Sequence, residues 1–195
     1  MNLQIVIYFS VVFFLSELIL ILTKHSKKEA VKTKKDKKSL FVFWITIPLS
    51  LAFGFSFANY EKWSVFQQII AVLGIVIFCF GIGIRWISIL QLKKAFTVDV
   101  AISKDHKLRT IGIYKNIRHP SYLGLFLICF GLSLAMNSLL SFTLITIPIL
   151  FAIHYRIKIE ESVLTQEFGE SFRSYVQHTG KLFPKFGLKN TSKKF

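Results

Sequence analysis

Cysteine is nearly absent: two residues in 195, Cys79 and Cys129, both inside apolar runs. That leaves neither a disulfide framework nor a Cys-rich metal site to argue for. His25, His154 and His178 stand without partners at metal-ligand spacing, so no metal is assigned. Acidic residues are scarce as well, 10 Asp and Glu against 25 Lys and Arg, for a formal net charge of +15. What abounds is apolar surface. Hydrophobic residues make up 53% of the chain, 21 of them Phe, and the mean hydropathy is +0.54. A composition this greasy excludes intrinsic disorder and argues against an ordinary water-soluble fold.

A helix crossing about 30 Å of hydrocarbon needs about 20 mostly apolar residues. Leu3 to Leu22, Leu40 to Ala58 and Ile69 to Leu90 meet that requirement. Tyr122 to Tyr155 runs 34 residues without Asp, Glu, Lys or Arg and is interrupted only by Asn137 and Ser138, which reads as a helical hairpin with Pro148 in its second arm. Each arm is short for a full crossing, so the hairpin either spans a locally thinned bilayer or re-enters. The first segment lacks the basic start and small-residue cleavage site of a signal peptide and reads as a retained anchor. The expected fold is therefore all-α: a multi-pass integral membrane protein of five transmembrane helices, including the short hairpin, with a cofactor-binding loop and a C-terminal helix in the cytoplasm. It forms one domain, 1–195, divided into three spans (1–90), a loop (91–121), the hairpin (122–155) and a C-terminal segment (156–195).

The cations sort by loop. Residues 23–39 hold eight Lys, 91–121 seven Lys or Arg and 156–195 eight, whereas the loop 59–68 holds only Lys62 and Arg85 lies in the third span. With five spans the three basic segments share one side, which the positive-inside bias assigns to the cytoplasm, leaving the N-terminus outside. This sorting explains the charge without nucleic acid, and the lysines of 24–38 face anionic membrane lipid. The membrane is the plasma membrane in a bacterium or archaeon and the endoplasmic reticulum in a eukaryote. Glu17 is read as a helix end near the interface or a residue facing other helices, and Arg85 as snorkelling, with an inward role as the alternative.

The polar functional groups collect in 91–121 and 156–195. Pro120 biases His119 away from helix and suits a helix start, so the imidazole is held at the membrane surface. Arg156 and Glu160 stand four apart, on one face if the helix continues past residue 155. Gly169 then breaks the pattern.

The run GIYKNIRHPSYLG (112–124), preceded by HKLR (106–109) and followed by RIKIEESVLTQEFGESFRSYVQHTGKLFPKF (156–186), resembles the isoprenylcysteine carboxyl methyltransferase family, whose wider kin include phospholipid N-methyltransferases. The resemblance implies a membrane enzyme that passes a methyl group from S-adenosylmethionine to the carboxylate of a prenylated cysteine, releasing S-adenosylhomocysteine, with no metal. It assigns the cofactor to His106, Lys107, Leu108, Arg109, Tyr114, His119, Pro120, Ser121 and Tyr122. Arg156 becomes the substrate-facing group and Glu160 the cofactor-facing one, together the catalytic pair. The chain departs from the family pattern at Asp99 and at Arg109, where a small aliphatic residue is usual.

Elementary chemistry agrees. A carboxylate is already ionised at pH 7, so methyl transfer to it needs alignment and removal of water rather than a strong base. Arg156 can grip such a carboxylate through its planar fork, and Glu160 can pair with the cofactor's α-amino group. The lipophilic or prenylated acceptor would enter from the bilayer. Two alternatives stay open: methylation of an amine or thiol on another lipophilic molecule such as phosphatidylethanolamine, and a small transporter or lipid-binding scaffold without catalysis. The sequence leaves the oligomeric state undetermined.

Overall fold

The computed structural model describes residues 3–23, 31–32, 34–59, 67–92, 101–102 and 108–185. Six helices follow in order: α1 (Leu3–Thr23), α2 (Lys34–Phe57), α3 (Gln67–Leu92), α4 (Pro120–Ala135), α5 (Leu139–Phe168) and α6 (Glu170–His178). A 3₁₀ turn, Gly112–Lys115, precedes α4, and two short strands, β1 (Val31–Lys32) and β2 (Ala101–Ile102), pair antiparallel. The three early apolar runs thus become helices over the expected ranges.

Among the described residues four helices, α1, α2, α3 and α5, are long and apolar enough to cross a membrane; the 16-residue α4 is shorter than a span requires. At 1.5 Å per residue α4 rises about 24 Å, short of a slab about 30 Å thick. The fifth span of the sequence reading is therefore a short apolar helix. The hairpin itself forms, with Met136, Asn137 and Ser138 between α4 and α5. Asn137 supplies the turn's positive φ of 53°, a conformation Asn tolerates better than most residues. Ser138 caps α5 by accepting from the Ser141 amide at 3.2 Å, and Ser141 Oγ donates to the Gly54 carbonyl at 2.7 Å, tying the hairpin tip to α2.

The second arm does not stop where the apolar run ends. The helix α5 passes Pro148 and continues for 30 residues, about 45 Å, until Gly169 at φ +51° turns the chain into α6. Its last turns, beyond the apolar part of the helix, carry Glu160 and Glu161.

Helix α3 packs along α4, and α2 along α5. Glycine lets the first pair close up: a Cβ on Gly131 would lie 2.5 Å from the Gly74 carbonyl oxygen, and one on Gly81 would lie 2.8 Å from that of Gly124. Leu125, Ile128 and Leu132 of α4 meet Phe78 of α3 and Ile145 and Ile149 of α5 in the buried core. Large apolar side chains such as Phe14, Leu18, Val76 and Phe80 point outward, as lipid-facing positions do.

Candidate active site

The site grows from two local structures. Pro120 occupies the first turn of α4, where its missing N–H costs nothing, and His119 precedes it in a non-helical conformation, φ −122° and ψ 57°. The continuous register of α5 then sets the adjacent Glu160 and Glu161 about one turn beyond Arg156. These two ends meet. The Tyr122 hydroxyl donates to Glu160 Oε2 at 2.8 Å, while the His119 ring lies between the carboxylates, Nδ1 3.7 Å from Glu160 Oε1 and Nε2 3.2 Å from Glu161 Oε1.

The two glutamates differ in engagement. Glu161 accepts from Arg118 Nε at 2.9 Å and lies 3.6 Å from Lys181 Nζ in addition to its His119 contact. Glu160 keeps 27% of its side chain exposed, so its carboxylate can meet an incoming cation. Arg156 is 1% exposed; its Nη1 donates to Ser39 Oγ at 2.6 Å, and its guanidinium neighbours the Tyr122 hydroxyl. The result is a polar run from Ser39 on α2 through Arg156, Tyr122 and Glu160 to His119.

A strap after α6 locks the turn that carries His119. The amides of Arg118 and His119 donate to the carbonyls of Gly180 and Lys181 at 2.9 and 3.0 Å, and Gly180 N donates to Asn116 O at 3.0 Å. The Arg118 guanidinium donates to the carbonyls of Thr179 and Val176, holding the open end of α6. Tyr175 donates to the Tyr114 carbonyl at 2.5 Å, while the Tyr114 hydroxyl reaches the Ser88 carbonyl at 3.2 Å. Burial first, and then the Glu160 carboxylate, keep the Tyr114 phenol neutral well above its ordinary range. Burial likewise pushes Tyr175 up to about 12, with Arg118 opposing.

Of the residues singled out from sequence, His119, Tyr122 and Glu160 touch one another, and Arg156 stands one helical turn from Glu160. Pro120 opens α4, and Ser121 contributes a carbonyl that Arg85 binds at 3.1 Å. Tyr114 serves as a buried brace. Leu108 and Arg109 are half-buried, and Arg109 Nε is buried without a hydrogen-bond partner. His106, Lys107 and Asp99 lie outside the described residues. Arg85 does not snorkel; it faces inward and pairs with Glu17, which faces its neighbouring helix.

Several contributors escaped the sequence reading. Glu161 and Arg118 were each next to a chosen residue, and the adjacent pairs Arg118-His119 and Glu160-Glu161 were the available signal. Ser39 and Ser88 had none, because each acts through a contact between segments distant in the chain.

The geometry defines a class: a multi-pass helical membrane protein whose polar site joins the entry of one apolar helix to the exit of the next. Residues 72–166 match the model of the isoprenylcysteine carboxyl methyltransferase family. A protein-S-isoprenylcysteine O-methyltransferase of Schizosaccharomyces pombe is 34% identical over 99 residues, 50% of this chain and 42% of the relative. That of Saccharomyces cerevisiae is 27% identical over 162 residues, 82% and 68% respectively. The solved structure of a eukaryotic intramembrane Ras methyltransferase superimposes with a TM-score of 0.56 at 27% identity, covering 76% of this chain and 51% of that one. The chain is similar to the isoprenylcysteine carboxyl methyltransferase family over these residues and spans about half the length of the curated relatives it matches.

Proposed function

We propose that the protein is an integral membrane methyltransferase that uses S-adenosylmethionine to esterify the carboxylate of an isoprenylcysteine-like lipophilic acceptor. The observation that carries this reading is the joining of His119, Tyr122 and Glu160 at one end of the α4–α5 hairpin, within the stretch matched to the family. The residues suit the donor molecule. Glu160 offers a partly exposed carboxylate to a cationic α-amino group, and Arg109 keeps a buried N–H unpaired beside Tyr114. When bound, S-adenosylmethionine supplies an electrophilic methyl group and departs as S-adenosylhomocysteine.

The side chains bind and orient. An acceptor carboxylate needs no proton removed, so His119 acts here as a support for both glutamates rather than as a base. Arg156, steadied by Ser39, presents a planar fork that aligns a carboxylate, and its burial excludes water that would otherwise solvate the nucleophile. The greasy tail enters between helices from the bilayer. The positive-inside rule puts this end of the molecule and the C-terminus in the cytoplasm, with the N-terminus outside. A cationic amine acceptor, as in an aminophospholipid, is disfavoured by Arg156.

Isothermal calorimetry with S-adenosylhomocysteine tests the reading. We expect wild-type protein to bind it, Glu160→Ala to weaken binding about tenfold or more through loss of a charge-assisted bond, and Arg156→Gln to spare binding while lowering turnover. No binding by the wild type would remove the enzyme assignment. Methylation of an amino lipid but not of N-acetyl farnesylcysteine would overturn the acceptor alone.

A further inference from the structure

Glu17 of α1 and Arg85 of α3 stand against each other within the apolar helices. Arg85 Nε and Nη2 donate to Glu17 Oε1 and Oε2, both at 2.6 Å, with side chains 8% and 13% exposed. The third contact of the fork points elsewhere: Nη1 donates to the Ser121 carbonyl at 3.1 Å. Ser121 lies in the first turn of α4, between Pro120 and Tyr122. The backbones are close here, since a Cβ on Gly124 would fall 2.6 Å from the Arg85 nitrogen. The same stripe of α3 continues at intervals of three. The Ser88 carbonyl accepts from Tyr114, and Gln91 Oε1 accepts from the Ile113 amide at 2.9 Å.

We propose that Arg85, aimed by Glu17, is a positioning residue for the reaction: it sets the seat of the α4 entry on α3 and so places His119 and Tyr122 against Glu160. The inference rests on the function proposed above. Its physical basis is division of labour within one guanidinium. A lone arginine among apolar helices would turn toward water or shift its charge at high cost, whereas a bidentate carboxylate neutralises it and fixes the plane of the fork. Only then does Nη1 face one carbonyl. Glu17 lies outside the family-matched residues 72–166, so α1 contributes to this site through a side chain that the match leaves unassigned. A mere staple between α1 and α3 would need the charge pair but not the third bond.

The two roles separate by substitution. Arg85→Lys keeps a cation for Glu17 but replaces the fork with a point charge that cannot serve carboxylate and carbonyl in fixed directions. The charge-exchanged double variant, Glu17→Arg with Arg85→Glu, restores the pair and puts an acceptor opposite the Ser121 carbonyl. Each purified protein is assayed for thermal midpoint, S-adenosylhomocysteine affinity, turnover of N-acetyl farnesylcysteine and hydrogen exchange at amides 121–126. We expect Arg85→Lys to melt within a few degrees of wild type, to lose about tenfold in both affinity and turnover, and to exchange faster in the first turn of α4. The double variant should recover melting temperature more than activity. Glu17→Gln, which keeps an acceptor for the fork, should fall between wild type and Arg85→Lys. Wild-type affinity and turnover in Arg85→Lys, or full activity in the exchanged variant, would reduce the pair to a staple. Losses that track the fraction folded would do the same. If the wild type itself fails to bind S-adenosylhomocysteine, the function proposed above falls instead.

Discussion

At the scale of single residues, the site depends on which of two neighbouring carboxylates is already spoken for. Glu161 gathers Arg118, His119 and Lys181, and the first two of these side chains are only 7% and 3% exposed. Glu161→Ala leaves the buried Arg118 guanidinium without its carboxylate and the His119 ring without one partner, which should lower stability by about 3 kcal/mol. Glu161→Gln, retaining an acceptor, should lose less. Thermal unfolding in detergent ranks the three proteins, and equal midpoints would show that Arg118 is held by the α6 carbonyls alone. Sequence marked Glu160 through the resemblance to the family, with the i, i+4 spacing from Arg156 setting both on one helical face. It could not separate the roles of residues 160 and 161, since engagement depends on the strap around Gly180 and not on helix phase.

Among elements, α3 and α4 form the tightest pair, and glycine is the reason. A side chain at Gly131 would meet the Gly74 carbonyl and the Phe78 backbone nitrogen at 2.5 and 2.6 Å, both backbone atoms that cannot swing aside. Gly131→Leu should therefore force the helices apart and cost about 1–3 kcal/mol or more. Because α4 carries Tyr122 and follows His119, the same variant should weaken S-adenosylhomocysteine binding although no site residue changes. Unaltered melting and binding together would show that the pair tolerates separation. The helices themselves were legible as long apolar runs, and the hairpin turn as the Asn137-Ser138 break. The extension of α5 to Phe168 was legible only conditionally, because a helix leaving the membrane loses the apolar run that announces it while keeping its hydrogen-bond ladder.

For the whole molecule, the polar end is assembled from α2, α3, α4, α5 and the strap after α6, and Tyr175 helps hold that strap. Its phenol is neutral in the fold, with a pKa raised from about 10 to about 12 by burial. The sign follows from linkage: a raised folded pKa contributes stability that is fully present below pH 10 and lost as pH climbs from 10 toward 12. Thermal midpoints measured from pH 9 to 12 should fall for wild type, and Tyr175→Phe, already lacking the bond to the Tyr114 carbonyl, should fall less steeply over that window. Parallel curves would detach the strap from this titration.

Apolar runs longer than a bilayer is thick, with charges confined between them, determined a multi-pass helical chain, because lipid admits only a backbone that satisfies its own hydrogen bonds. Resemblance to the family's motifs named which residues to suspect, Glu160 and His119 among them. The partners those residues take were decided by tertiary structure alone. Ser39 meets Arg156 across 117 positions, Glu17 meets Arg85 across 68, and Arg118 reaches Thr179 across 61. Such pairings follow from how helices seat on one another, a property of shape and close packing that no local run of side chains encodes.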